Sequence, residues 1–252
     1  MRILTLEIGH FLVAVTFLTR LPMPGRLDHY EGRLARAARY FPLAGVLVGG
    51  LAGLVFFISS AVFSPSLAAG LAIAAGLIMT GALHEDGLAD TSDGIGGGKD
   101  PEQALEIMRD SRIGTYGAIA LIVSIGLRWI ALATLSPVDG LIALVVAHAV
   151  SRAVLPCILT STNYVRSQGL ALSVAGGVRP DEAVVAALLA LAIAMTSGPA
   201  AGLITIAATV LVAGFATAWI LRRIGGYTGD TLGAIQQVGE IAALITLSAL
   251  LI

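Results

Sequence analysis

Apolar runs of about 20 residues recur along this chain, and no other feature constrains its fold as tightly. A helix needs roughly 20 apolar residues to cross the hydrocarbon of a bilayer. Inside lipid every backbone N–H and C=O must be paired within the protein, which leaves helices or closed barrels. The runs fall near 3–19, 41–63, 67–83, 114–136, 138–160, 182–198, 201–221 and 231–252. Of the 252 residues, 57% are hydrophobic and only 12% are charged. That is about half the charge fraction of a soluble domain. The expectation is an all-α, polytopic integral membrane helical bundle with about 7–8 transmembrane segments, forming a single membrane domain over 1–252. The first run carries Glu7 and His10, so it either spans, re-enters or lies in the interface. It lacks an A-x-A cleavage site and reads as a retained segment rather than a signal peptide. The run at 182–198 is short. Net charge is −1, which argues against a general nucleic-acid binder. The one cysteine, Cys157, excludes an internal disulfide and a cysteine zinc site, and reads as a small buried hydrophobe.

Arginines set the orientation. Arg20, Arg26, Arg33, Arg36 and Arg39 crowd the 20–40 connection, which should therefore face the cytoplasm. Counting crossings puts 84–113, then 161–181 with Arg166 and Arg179, then Arg222, Arg223 and 225–230 on the same side. The opposite turns, near Ser64-Pro65-Ser66, Ser136-Pro137 and Ser197-Gly198-Pro199, are short and nearly uncharged.

Chemistry concentrates in 84–113, which holds eight of the sixteen acidic residues. It opens on His84-Glu85-Asp86-Gly87-Leu88-Ala89-Asp90-Thr91-Ser92-Asp93-Gly94. At about 100° per residue, Asp86, Asp90 and Asp93 fall within roughly 60° of one another on a helix. Carboxylates on one stripe repel unless a cation neutralises them, and hard oxygen ligands suit Mg²⁺. Asp86, Asp90 and Asp93 are the candidate metal ligands, with Glu85, about 100° off the stripe, as a ligand or supporting group. His84 is read as an interface or supporting residue. The alternative is a solvated acidic loop. Gly94-Ile95-Gly96-Gly97-Gly98 predicts a helix stop. Asp100 and Pro101 then predict the N-cap and first turn of a second helix, running to about Arg112. The pair forms a cytoplasmic acidic helical hairpin that folds basic groups back toward the carboxylates.

Phosphate-binding candidates follow. Arg109, Asp110, Ser111 and Arg112, before Ile113-Gly114-Thr115-Tyr116-Gly117, combine guanidiniums, hydroxyls and glycines; the alternative is a basic flank of the next span. Arg128, His148 and Arg152 lie inside spans, where ionisable groups are expensive and normally face a cavity or a partner. Arg152 is a candidate for holding an anionic substrate. The last span begins at Gly225-Gly226-Tyr227-Thr228-Gly229-Asp230, where Asp230 either caps the helix or enters the site. Asp230, Gln237 and Glu240 form a polar stripe suited to a site wall.

Four stretches together resemble the cobalamin synthase family: Phe17-Leu18-Thr19-Arg20-Leu21-Pro22-Met23-Pro24, Gly81–Gly98, Glu106-Ile107-Met108-Arg109-Asp110-Ser111-Arg112-Ile113-Gly114-Thr115-Tyr116-Gly117, and Gly229-Asp230-Thr231-Leu232-Gly233-Ala234. They span nearly the whole chain in family order. The resemblance implies an adenosylcobinamide-GDP ribazoletransferase of the bacterial cell inner membrane, Mg²⁺-dependent, with its active site facing the cytoplasm. Its substrates would be adenosylcobinamide-GDP and α-ribazole or α-ribazole 5'-phosphate. GMP would leave, and adenosylcobalamin or its 5'-phosphate would form. Membrane lipid, further copies of the chain and other corrinoid-pathway proteins are the remaining partners it suggests. In that frame Asp86, Asp90 and Asp93 hold Mg²⁺ against the pyrophosphate, while the ribazole 3'-hydroxyl attacks phosphorus in line. Asp93 accepts the proton, and Arg109 and Arg112 hold phosphate oxygens.

Two rivals share parts of the pattern. A lipid-directed CDP-alcohol phosphotransferase has a similar aspartate-rich motif, but its longer D-G-x2-A-R order differs from Asp86–Asp93. A cation-binding transporter should show repeated halves with helices broken near the midplane. No internal repeat is visible, and the acids cluster at one end of the spans.

Overall fold

The computed structural model describes residues 2–22 and 32–251. Met23, Pro24, Arg26 and the closing Ile252 lie outside them. The described residues form a bundle of α1 (Arg2–Leu18), α2 (Arg33–Ala37), α3 (Phe41–Ser59), α4 (Pro65–Thr80), α5 (Leu83–Gly97), α6 (Pro101–Ile107), α7 (Thr115–Ala133), α8 (Pro137–Ser161), α9 (Pro180–Ala194), α10 (Pro199–Ile224) and α11 (Gly229–Leu250). Among them there is no strand, only an isolated bridge between Tyr164 and Tyr227. Local signals place many of the starts. Pro65, Pro101 and Pro137 open α4, α6 and α8, capped by Ser64, Asp100 and Ser136, because a first-turn proline gives up an N–H that has no helical partner.

Six helices are long and apolar enough to cross a membrane, or seven if the bent pair α4–α5 counts as one span. The chain is therefore a polytopic helical membrane protein. The run expected at 3–19 becomes α1, whose 17 residues reach about 26 Å, short of a roughly 30 Å hydrocarbon core.

The bundle is built around α8. Gly45 and Gly49 lie on one face of α3, against the backbones of His148 and Leu144, where an added Cβ would collide. Ascending numbers on α3 meet descending numbers on α8, so the two are antiparallel. Dispersion at close backbone approach replaces the hydrophobic effect as the force between membrane helices.

Several contacts tie the connections of one end together. Arg39 is ion-paired with Glu182, one of its bonds measuring 2.7 Å. Arg223 donates to the carbonyls of Ile95 and Gly98 at 3.0 and 2.9 Å. Val165 N–H donates to Tyr227, and Tyr227 N–H to Asn163.

The helix stop expected within Gly94–Gly98 comes at the last of these residues: α5 runs to Gly97, with Gly98 as its C-cap. A Cβ at Gly94 would meet Ala104 and Met108, so this glycine serves close packing of α6 on α5, and tertiary contact outweighs its helix-breaking propensity. The second helix ends at Ile107 rather than near Arg112. There Arg109 and Asp110 N–H groups bond back to Glu106 and Ile107, tightening the last turn. Cys157, expected to be buried, is exposed on α8.

Candidate active site

The site forms where α5 meets the N-terminus of α11. The chain turns by 88° between α4 and α5. Gly81 (φ 62°) and Ala82 (φ 54°) make the turn, two consecutive residues in the left-handed region. That conformation costs a residue with a Cβ about 1–2 kcal/mol, so Ala82 is a strained hinge held by its surroundings. Beyond it α5 packs on α11, with Gly87 close enough that a Cβ would stand 2.6 Å from the Asp230 carbonyl oxygen.

The carboxylate stripe separates into different tasks. Asp86 is exposed, Asp90 is half-buried and Asp93 is buried. Asp93 accepts backbone N–H bonds from Gly114 at 2.7 Å and Gly117 at 2.9 Å. It thus caps the N-terminus of α7, where unpaired donors and the positive end of the helix dipole favour an anion. The residue expected to take the proton has both oxygens engaged in fixing a helix. Asp90 lies in the field of Asp86, Asp230, Asp93 and the single guanidinium of Arg166. Among the described residues no three His, Cys, Asp or Glu side chains converge tightly enough to hold a metal ion.

Asp230 is not the cap of α11. Thr228 caps it in a reciprocal box with Thr231, which frees the Asp230 carboxylate to pair with Arg166 at 2.6 Å. Arg166 still has Nε and Nη2 buried without a partner. A cavity of about 180 Å³ opens beside this pair, and Asp86, His84, Arg166 and Asp230 line its polar side. His84 is 3% exposed, and neither ring nitrogen has a hydrogen-bond partner.

A second polar cluster lies within the bundle. Glu85 turns away from Asp86 and meets Arg128 Nη2 at 3.0 Å. Arg128 Nη1 meets Glu240 at 3.0 Å. Glu240 also receives Gln236 at 2.7 Å and lies 3.0 Å from His148 Nδ1 and 3.5 Å from Arg152 Nη1. Gln237 accepts from Ser124 at 3.3 Å and donates to Gln236 at 3.0 Å. Two carboxylates balance two guanidiniums, as intramembrane charges must. Arg152 and Gln237, candidates for substrate contact, therefore belong to this inner network. It surrounds a cavity of about 20 Å³, room for about one water. His84 lines both cavities.

The basic groups expected to fold back divide as well. Arg112 is 87% exposed and pairs with Asp110 at 2.6 Å; its hydrogen bonds hold the Asp110 carboxyl down at about 2. Ser111 is exposed beside them. Arg109, also exposed, acts electrostatically on Tyr164, whose phenol is pushed up by burial and which lines the larger cavity. Arg166 and the Glu85–Arg128 pair are what sequence reasoning missed. Arg166 reads as a loop arginine that only sets orientation, and no local signal distinguishes it. Arg128 did carry a signal, since a buried guanidinium demands a carboxylate.

The chain is a helical membrane bundle that gathers carboxylates and a guanidinium beside a part-apolar cavity, and its relatives place it among integral-membrane transferases. The family model described as cobalamin-5-phosphate synthase matches residues 10–248. The chain belongs to that family. It is 45% identical to an adenosylcobinamide-GDP ribazoletransferase of Rhizobium johnstonii, over 94% of this chain and 95% of the relative. It is 46% identical to one of Rhizobium etli over 94% and 95%, and 38% identical to one of Vibrio cholerae over 99% and 97%. No solved structure matches.

Proposed function

We propose that this protein transfers the phosphocobinamide group of adenosylcobinamide-GDP to α-ribazole or its 5'-phosphate, releasing GMP, at the end of the bundle where α5 meets α11. One observation carries the reading. In a chain whose relatives are named for this transfer, Asp86, Asp90 and Asp230 stand together with one guanidinium beside a cavity.

No three carboxylates of the described residues converge on one point, but Mg²⁺ needs only one or two from the protein, its shell being completed by water and substrate phosphates. Carboxylates outnumber the guanidinium around Asp90, and their hard oxygens suit Mg²⁺. Asp86 and Asp90 are the residues to hold it, with Asp230 beside them and Asp93 fixing the helix that carries them. When bound, Mg²⁺ would neutralise charge on the departing phosphate. Arg166 presents its free Nε and Nη2 to phosphate oxygens, where a planar guanidinium binds two at once. Asp230 orients Arg166 through their ion pair. The 3'-hydroxyl of the acceptor attacks phosphorus, the bond to the GMP oxygen breaks, and a carboxylate at the cavity edge takes the hydroxyl proton. Positioning and charge neutralisation supply most of the acceleration. Arg109 and Arg112, exposed on the approach, attract the anionic substrates.

The family implies a bacterial inner-membrane location, and the arginines of the 20–40, 161–181 and 222–230 connections favour the cytoplasm for this end. Purified protein, given adenosylcobinamide-GDP and α-ribazole, should release GMP only when Mg²⁺ is present. Transfer from a CDP-alcohol to lipid, with none to α-ribazole, would replace this reading with the lipid one.

A further inference from the structure

Two chemically different sets of side chains line the larger cavity. Asp86 and His84 come from α5, Asp230 from α11 and Arg166 from the connection after α8, and make its polar wall. Phe17, Phe41, Leu155 and Leu159 come from α1, α3 and α8 and, with Val174, make its apolar wall. Phe17 and Phe41 stack with ring centroids 5.9 Å apart and planes 13° from parallel, so the apolar wall is a packed surface. Its volume of about 180 Å³ compares with the roughly 150 Å³ of an apolar cavity that takes up benzene. The space suits one aromatic ring system and is far too small for a corrin macrocycle.

The occupant must answer both walls. His84 is buried with both ring nitrogens unpartnered, and two nitrogens of Arg166 are also unsatisfied. Leaving such groups unpaired on binding is costly, so an acyl chain, which matches only the apolar wall, does not fit. A nucleoside does: an aromatic base for one wall, and hydroxyls and phosphate for the other. Guanine fits poorly, because its ring edge carries several polar groups that the Phe17, Phe41, Leu155, Leu159 and Val174 wall would strip of water without replacement. Dimethylbenzimidazole presents an apolar edge.

We infer that this cavity is the acceptor pocket: the dimethylbenzimidazole of α-ribazole seats against Phe17, Phe41 and Leu159, its ribose hydroxyls reach His84 and Asp86, and the corrin of the donor stays outside. The inference rests on the transfer reading above. It assigns the apolar half of the cavity to discrimination among acceptor bases.

The test varies both substrates with purified protein. Leu159→Trp narrows the base pocket, and Val174→Leu narrows it more gently should the first variant fold poorly. Either should raise KM for α-ribazole about tenfold or more, the scale of a lost or clashing methyl group, with KM for adenosylcobinamide-GDP within about twofold. The riboside of unsubstituted benzimidazole, lacking the two methyls, should be penalised less, so base preference inverts. General damage to the fold would not invert it. A raised donor KM with unchanged acceptor KM would overturn the assignment and place guanosine or corrin there, and so would unchanged KM values for both. Failure of the transfer reading itself is seen separately, as no GMP release by the unaltered protein with either acceptor.

Discussion

Asp86 and Asp93 share one helical stripe yet do different work. Asp93 is turned into the N-terminus of α7, while Asp86 faces the cavity. Asp86→Asn and Asp90→Asn should each lower GMP release by at least ~100-fold, the scale of losing an electrostatic catalytic group, with thermal unfolding in detergent unchanged. Asp93→Asn should differ by also lowering the unfolding temperature, since a neutral amide is a weaker cap at a helix N-terminus. Activity near normal in both Asp86 and Asp90 variants would remove the metal-site reading. Two arginines make a second contrast. Arg166 is held at the cavity by Asp230 with two nitrogens unpartnered, whereas Arg112 points into solvent against Asp110. Arg166→Lys should cost about tenfold or more in kcat/KM, because an ammonium cannot supply a fork. Arg112→Lys should cost little. Equal effects, measured side by side at saturating Mg²⁺, would restore Arg112 to the site.

At the scale of elements, α5 is held from two directions. Asp93 joins its far end to α7, and Glu85 joins its near end to Arg128 and through it to Glu240 on α11. Removing one partner of a buried ion pair leaves the other charge uncompensated and costs about 3–5 kcal/mol. Glu240→Ala should therefore lower the unfolding temperature sharply, and with it the yield of folded protein. An unchanged melting curve would mean the cluster is solvated and not structural. Close packing of α3 on α8 is equally specific. Gly49→Leu places a side chain where only hydrogen fits, and overpacking of this kind typically costs about 1–3 kcal/mol.

For the whole molecule, the connections that bear the site lie at one end of the bundle and the short turns at the other. With Cys157 replaced by alanine, Ser111→Cys should resist an impermeant thiol reagent in intact cells and react after lysis. Thr134→Cys, in the exposed turn between α7 and α8, should react in intact cells. The reverse pattern would put the site on the side away from a cytoplasmic nucleotide-activated substrate.

Much of this was legible in the residues alone. The apolar runs marked helices nearly to their ends, since a bilayer leaves a hydrophobic stretch few alternatives, although those at 3–19 and 67–83 became helices too short to count as spans alone. Proline and Ser or Asp caps marked several starts, and the 86–93 spacing marked the carboxylate helix, because these signals act within a turn or two of the chain. Partner choice was not legible. That Thr228 rather than Asp230 caps α11, that Asp93 binds α7, that Glu85 turns inward to Arg128 and that Arg166 rather than Arg112 reaches the cavity all depend on groups 21 to 64 residues apart or on competition between neighbours. Such pairings follow from how helices pack, and in a low-dielectric interior each charge takes the nearest opposite one that packing provides. Sequence determined the elements and the chemistry available; tertiary structure decided which groups meet.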